Sequence, residues 1–197
     1  MVKMTAEKGM VEFLSKCKKQ NKKTVLDIGC GEKQPHSKVF RQSGLDVYTC
    51  DFFENNDYQG KFTEIDFEGK QFDAVWCAHC LEHQPDPGIF LRTINKILKD
   101  DGLLCITVPP LKHNIVGGHL TLWNIGLLYY NLILAGFDCS KGIHSQYKYN
   151  LSIIVNKNKI TNFPRLNYDT GDIETLSKYF PFEASQGFDG NLLPNTF

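Results

Sequence analysis

The chain has 197 residues with 22 Lys+Arg against 22 Asp+Glu, so no excess of charge recruits nucleic acid or an anionic membrane. That length suits one domain over 1–197, with a core at roughly 20–160 and a C-terminal extension at roughly 161–197. Seven cysteines without a signal peptide point to a reducing, cytoplasmic setting, and their odd number argues against a complete disulfide framework.

The Lys-rich stretch Lys16, Lys18, Lys19, Lys22 and Lys23 is a solvated helix face and linker rather than an RNA-binding element. Thr24 to Ile28 follows as a short apolar strand with β-branched residues, running into Gly29-Cys30-Gly31, where glycines permit a tight turn and close approach of a ligand. The third glycine of the dinucleotide fingerprint is missing, since Glu32-Lys33-Gln34-Pro35 leads into a helix with Pro35 in its first turn. A pyrophosphate is therefore poorly cradled. A second strand covers Asp46 to Cys50 and ends at Asp51, about twenty residues past the turn, where an acid accepts ribose hydroxyls.

A third strand is expected at Phe62 to Ile65, ending at Asp66-Phe67, and a fourth at Phe72 to Trp76, followed by Cys77-Ala78-His79-Cys80-Leu81-Glu82-His83. The CxxC spacing there has no second pair to complete a zinc site, so its thiols are read as buried. A fifth strand, Gly102 to Val108, is stopped by Pro109-Pro110. Leu120 to Phe137 is apolar but interrupted by Thr121, Asn124 and Asn131; it is a core helix capped by Thr121 and ended by Gly136, not a membrane span. Phe137 to Ser145 and Tyr149 to Val155 are strand-like and close enough to pair as a hairpin. The tail offers a helix at Asp172 to Tyr179, then Phe180-Pro181-Phe182 and Gly187 to Gly190, either a packing extension or a substrate lid.

Taken in order, the glycine turn, Asp51, Asp66-Phe67, the strand Phe72 to Val75, Leu81-Glu82-His83 and Leu98 to Gly102 resemble the class I S-adenosylmethionine-dependent methyltransferases, in particular the broad group with a Leu-Glu-His turn after strand four. The resemblance implies an α/β Rossmann-like three-layer sandwich around a seven-stranded, mostly parallel sheet with an antiparallel edge hairpin. The implied cofactor, S-adenosylmethionine, has a ribose diol but no phosphate. Asp51 suits the diol, because a carboxylate accepts two hydrogen bonds and donates none. Asp66 is then placed on the adenine amino group, with Phe52 and Phe67 flanking the ring. Asp27 orients the turn and reaches the methionine amino group through water; Gly29, Cys30 and Gly31 admit backbone contact, and Ala78 and His79 close the site after strand four.

Methyl transfer is an in-line displacement, so alignment carries much of it, and a base is needed only for a protonated acceptor such as a hydroxyl. Histidine suits that task. His119, between Gly117-Gly118 and the core helix, is the first candidate, followed by His79 and His83. In some O-methyltransferases with this turn a Glu-x-x-Glu-His set holds a divalent ion, but His79 replaces the first acid and no metal is expected. No Asn-Pro-Pro-Tyr signature follows strand four, which argues against nucleic-acid bases and glutamine as targets and for a small acceptor. Trp123, Asn124, Tyr129, Tyr130, Tyr147, Tyr149 and Asn150 suggest a polar-aromatic wall for a sugar or nucleotide-sugar, and the tail is similar to that of small methyltransferases of surface polysaccharide synthesis. The alternatives are a nicotinamide (NAD) dehydrogenase and a non-catalytic adenosylmethionine-binding protein.

Overall fold

The computed structural model describes residues 5–192 and 195–197. Val25, Leu26 and Ile28 belong to β1 (Thr24–Ile28), buried at every position after Thr24 because it has a strand on either side and helices over both faces. It runs parallel to β2 (Asp46–Asp51) and to β4 (Phe72–Ala78), with Ile28 level with both Cys50 and Cys77. Beyond these lie β3 (Tyr58–Gln59) beside β2 and β5 (Leu98–Val108) beside β4. The antiparallel pair β6 (Ile143–Tyr147) and β7 (Asn150–Asn156) completes one seven-stranded sheet in the order β3-β2-β1-β4-β5-β7-β6. The order turns back between β1 and β4, and a crevice opens at such a switch point beyond the carboxyl ends of the strands.

Alternation along the strands divides two apolar layers. Val25, Ala74, Trp76, Leu103 and Cys105 face α1 (Glu7–Lys19) and α2 (Pro35–Gln42), where Phe13, Phe40 and Trp76 pack with ring centroids 5.3–5.5 Å apart. Leu26, Ile28, Val75, Cys77, Leu104 and Ile106 face the layer that contains α3 (Pro87–Ile97) and α4 (Ile125–Leu134), with Phe90, Ile94, Leu128 and Leu132 fully buried. The expected three-layer α/β sandwich with an antiparallel edge pair is what forms.

Several expected boundaries move. Phe62 to Ile65 is not a strand: Phe62–Glu64 makes a single 3-10 turn, and the edge strand is the two-residue Tyr58–Gln59. Pairing stops at Gly60 (φ 130), and Phe62 and Phe67 both turn inward, against Phe90 and Phe72 respectively, which a period of two does not allow. The core helix starts at Ile125 rather than Leu120. Its cap is Asn124, whose side chain accepts from Leu127 N–H at 2.7 Å, whereas Thr121 Oγ1 accepts from Trp123 Nε1; Gly136, at φ 94, ends it as expected. The hairpin begins only at Ile143. Lys22 is not simply solvated, since its ammonium donates to Asp101 O at 2.7 Å.

The tail helix α5 (Asp172–Leu176), continued by a 3-10 turn at Ser177–Tyr179, leads into an aromatic cluster of Phe180, Phe182 and Phe188 that rests on Tyr129 and Tyr130 of α4. Gly126 N–H donates to Gly190 O at 2.7 Å, and Thr196 pairs with the backbone of His144. The described tail is thus a packing extension over α4 and β6. Among the described residues, no helix is long and apolar enough to cross a membrane.

Candidate active site

The turn after β1 is built for close approach. Gly29 and Gly31 hold φ +72 and +68, a region that favours glycine, and a Cβ on Gly29 would stand 2.8 Å from Cys80 Cβ. Across the turn, Asp51 accepts from Gly31 N–H through Oδ2 (2.8 Å) and from Phe52 N–H through Oδ1 (2.7 Å), leaving each oxygen a further lone pair. Asp27 lies beneath, 1% exposed, and ties β1 to α2 by accepting from Ser37 Oγ. Burial pushes its carboxyl up to about 7, against the opposing Ser37 bonds.

A cleft of about 230 Å³ opens at this edge, lined by Ile28, Gly29, Cys50, Asp51, Phe52, Gly60, Lys61, Phe62, His79, Cys80, His83 and Gln84. Its makeup fits a nucleoside without phosphate. Asp51 offers a carboxylate acceptor, Phe52 and Phe62 supply aromatic surface, and α2 opens on Pro35, which has no N–H to offer a pyrophosphate.

Three histidines gather on the far rim. His79, at φ 54, donates from Nδ1 to Glu82 Oε1 (3.2 Å) and from Nε2 to Asn150 Oδ1 (2.9 Å). The Asn150 amide is oriented by its own donation to Tyr147 O. Burial disfavours a charge on His79, but hydrogen bonding to Glu82 and Asn150 and the charge of Glu82 outweigh it and raise its pKa. His83 donates from Nδ1 to Gly118 O (2.7 Å), which leaves the Nε2 lone pair free, 3.8 Å from Glu82 Oε1. His119 meets the His83 ring edge-on at 5.0 Å.

Of the residues expected at the cofactor, Gly29, Asp51, Phe52 and His79 line the cleft. Asp27, Cys30, Gly31 and Ala78 are not among its lining residues: Asp27, Cys30 and Ala78 are buried, with Cys30 Sγ donating to Asn56 Oδ1, and Gly31 is half-buried, facing open space. Asp66 and Phe67 are not brought to it. Asp66 is exposed and caps its own turn by accepting from Glu68 N–H, while Phe67 is 7% exposed and packs on Tyr58, Phe62 and Phe72. The phenylalanine that lines the cleft together with Phe52 is Phe62, missed because its segment was read as a strand. Lys61 and Gln84 were also missed; only Gln84 carried a signal, adjoining the Leu-Glu-His turn. The polar-aromatic wall does not form as expected, because Trp123 and Tyr129 are core, Tyr130 packs on Phe180 and Asn124 is a helix cap. Tyr149 presents a ring at the rim, parallel to His79 at 6.5 Å with Lys112 Nζ 4.3 Å above it, and Tyr147 and Asn150 line a cavity with it beside His79. All seven cysteines are free; burial pushes Cys17 and Cys50 up to about 12, so their thiols stay protonated.

The strand order, the glycine turn with its acid at the end of β2, and a phosphate-free nucleoside cleft define a class I S-adenosylmethionine-dependent methyltransferase, and adenosylmethionine is the cofactor of that class. The chain belongs to the methyltransferase-domain family, whose model matches residues 5–132. This sets aside the nicotinamide dehydrogenase alternative. Among solved structures, the 1,6-didemethyltoxoflavin-N1-methyltransferase of Burkholderia thailandensis, with bound 1,6-didemethyltoxoflavin and S-adenosylhomocysteine, superposes with a TM-score of 0.61 at 19% identity, over 79% of this chain and 80% of that one. A SAM-dependent methyltransferase from Archaeoglobus fulgidus gives 0.59 at 15% identity, over 75% and 94%. At these identities the likeness is one of fold. A sterol 24-C-methyltransferase of Candida albicans is 29% identical over 40% of this chain and 26% of its own length, so the chain spans about a quarter of the curated relatives it matches.

Proposed function

We propose that this chain transfers the methyl group of S-adenosylmethionine to a hydroxyl oxygen of a small polar acceptor, with sugars and nucleotide-sugars as the leading class, in a reducing cytoplasmic setting. The observation that carries this reading is the convergence of the Asp51 carboxylate, the open Gly29 backbone and the free Nε2 of His83 on one cleft. The cofactor supplies a methyl carbon activated by a sulfonium. As the acceptor's O–CH₃ bond forms and the S–CH₃ bond breaks, the acceptor proton passes to His83 Nε2. His83 therefore moves ahead of His119 as the base, and His79 becomes a positioning group, since both of its nitrogens are engaged.

Tyr149 supports the saccharide class with an aromatic platform, and Lys112 above it offers a cation to a phosphate. A second reading rests on the rim of the adjoining cavity, where Ile115 is 94% and Leu120 62% exposed, beside exposed Leu122: an acceptor with an apolar arm. The test is transfer from methyl-labelled adenosylmethionine to a panel of nucleotide-sugars and their alkyl-bearing counterparts, read by mass. A methylated hydroxyl product that is lost in His83→Ala is expected. Turnover only of amine or thiol acceptors, or no affinity for S-adenosylhomocysteine, would overturn the reading.

A further inference from the structure

We propose that Glu82, His83 and His119 form a binding site for a divalent transition-metal ion of the zinc type beside the cofactor cleft. One ligand atom from each lies within 4.8 Å of the others. Two features show that the cluster is more than proximity. The first is the second contact of each imidazole-bearing segment. His83 Nδ1 donates to Gly118 O at 2.7 Å, fixing the tautomer whose free Nε2 faces the carboxylate, as ligating histidines are commonly held. Gly118 sits at φ +79, and a Cβ there would press on His83 Nδ1 at 3.1 Å, so a glycine is what lets this bond form. The segment bearing His119 is pinned to the same turn, because Leu120 and Thr121 both donate their N–H to Glu82 O, at 2.8 and 3.2 Å.

The second feature is the carboxylate itself. Glu82 is 0% exposed, and although Oε1 is shared by His79 and His83, Oε2 is buried with no hydrogen-bond partner. Buried carboxylate oxygens are rarely left so, and each calls for a cause. A cation between Glu82 and the two imidazoles supplies one.

Two imidazole nitrogens and one carboxylate are the donor set of zinc and its neighbours rather than of magnesium or calcium, and three protein ligands leave one position open. Metal bonds of roughly 2.0–2.2 Å put tetrahedral ligand atoms ~3.4 Å apart, so atoms now within 4.8 Å of one another close by up to about 1.4 Å on binding. The sequence pattern spoke against a metal because His79 replaces the expected acid; the third donor comes instead from a residue far along the chain. Only the role of the ion rests on the methyl-transfer reading: in the metal-bound chain His83 Nε2 is a ligand and no longer the base, and the open position would take the acceptor oxygen, lower its pKa so that its proton is lost to solvent, and align it with the methyl group.

The test is calorimetric titration of the chelator-treated full chain with zinc sulfate, and visible absorption on titration with cobalt chloride. One ion per chain is expected, with tetrahedral cobalt bands, and affinity should fall at least tenfold in His119→Ala and in Glu82→Gln. His113→Ala, on the same exposed segment but outside the cluster, should bind as wild type. Glu82 is buried and its variant risks misfolding, so His119→Ala is decisive. Substoichiometric binding, or binding unchanged in His119→Ala, would overturn the site. S-adenosylhomocysteine is titrated separately into metal-free protein: its failure to bind would refute the methyl-transfer reading and leave the metal result standing.

Discussion

Replacing Asp51 with alanine removes the one carboxylate that lines the cofactor cleft, and the structure sets the size of the expected loss. Two of its lone pairs are taken by the N–H groups of Gly31 and Phe52. The remaining two can each accept a ribose hydroxyl, and a hydrogen bond to a charged group contributes about 1.5–3 kcal/mol. Two such bonds amount to roughly 3–6 kcal/mol, or about 10²–10⁴ in Kd. Because Asp51 is only half-buried, water offsets part of this, and the lower end, about 10², is expected. Asp51→Asn keeps the shape but loses the charge and sets an amide donor against one N–H, so about tenfold or more is expected. Calorimetric titration with S-adenosylhomocysteine measures both, with thermal melts confirming that the variants fold. A folded Asp51→Ala protein whose Kd stays within threefold of wild type would refute the assignment of the diol to this carboxylate.

Gly29→Ala combines left-handed backbone, costing about 1–2 kcal/mol, with the 2.8 Å approach to Cys80, whereas Gly31→Ala meets open space and suffers the backbone term alone. Urea melts should rank Gly29→Ala below Gly31→Ala, and the reverse order would sink the steric argument. Asp27 has a folded pKa near 7, above its unfolded value, so its contribution to stability is full below pH ~4 and is lost as pH rises through 7. The loss is bounded at about 4 kcal/mol, and Asp27→Asn should flatten the stability profile between pH 5 and 8; parallel profiles would count against it. Asp73 behaves oppositely. Burial opposes its charge, but donors from Lys99, Thr24 and Lys23 outweigh this and hold it well below the usual carboxylate range. Its contribution is present above pH ~4 and lost as pH falls, so Asp73→Asn should be less sensitive to acid between pH 4 and 2 in a circular-dichroism titration; an unchanged acid midpoint would contradict this.

Strands whose residues are buried on both sides were legible because burial on two faces demands a near-continuous apolar run, broken by Asp27 in Val25 to Ile28 and by Thr107 in Leu103 to Val108. The glycine turn and the acid ending β2 were legible for a related reason: backbone that must approach a ligand admits few residue types. The segment from Phe62 to Phe67 was misread because its two phenylalanines turn inward from a loop, and only the positions of Phe90 and Phe72 reveal that. Thr121 and Asn124 are equally good caps on paper; Asn124 takes the role because the chain up to Thr121 is tied to Glu82 O.

What the sequence determined by itself was therefore the local and periodic part: the βαβ series, the cofactor turn, and a set of rim histidines without roles. The tertiary structure alone decided those roles. His79 is closed off by Asn150, His83 is oriented by Gly118, and His119 is carried to Glu82 by a segment that starts beyond β5. Hydrogen bonds between residues so far apart in the chain leave no period or spacing to read, because only the packed sheet edge brings their atoms within reach.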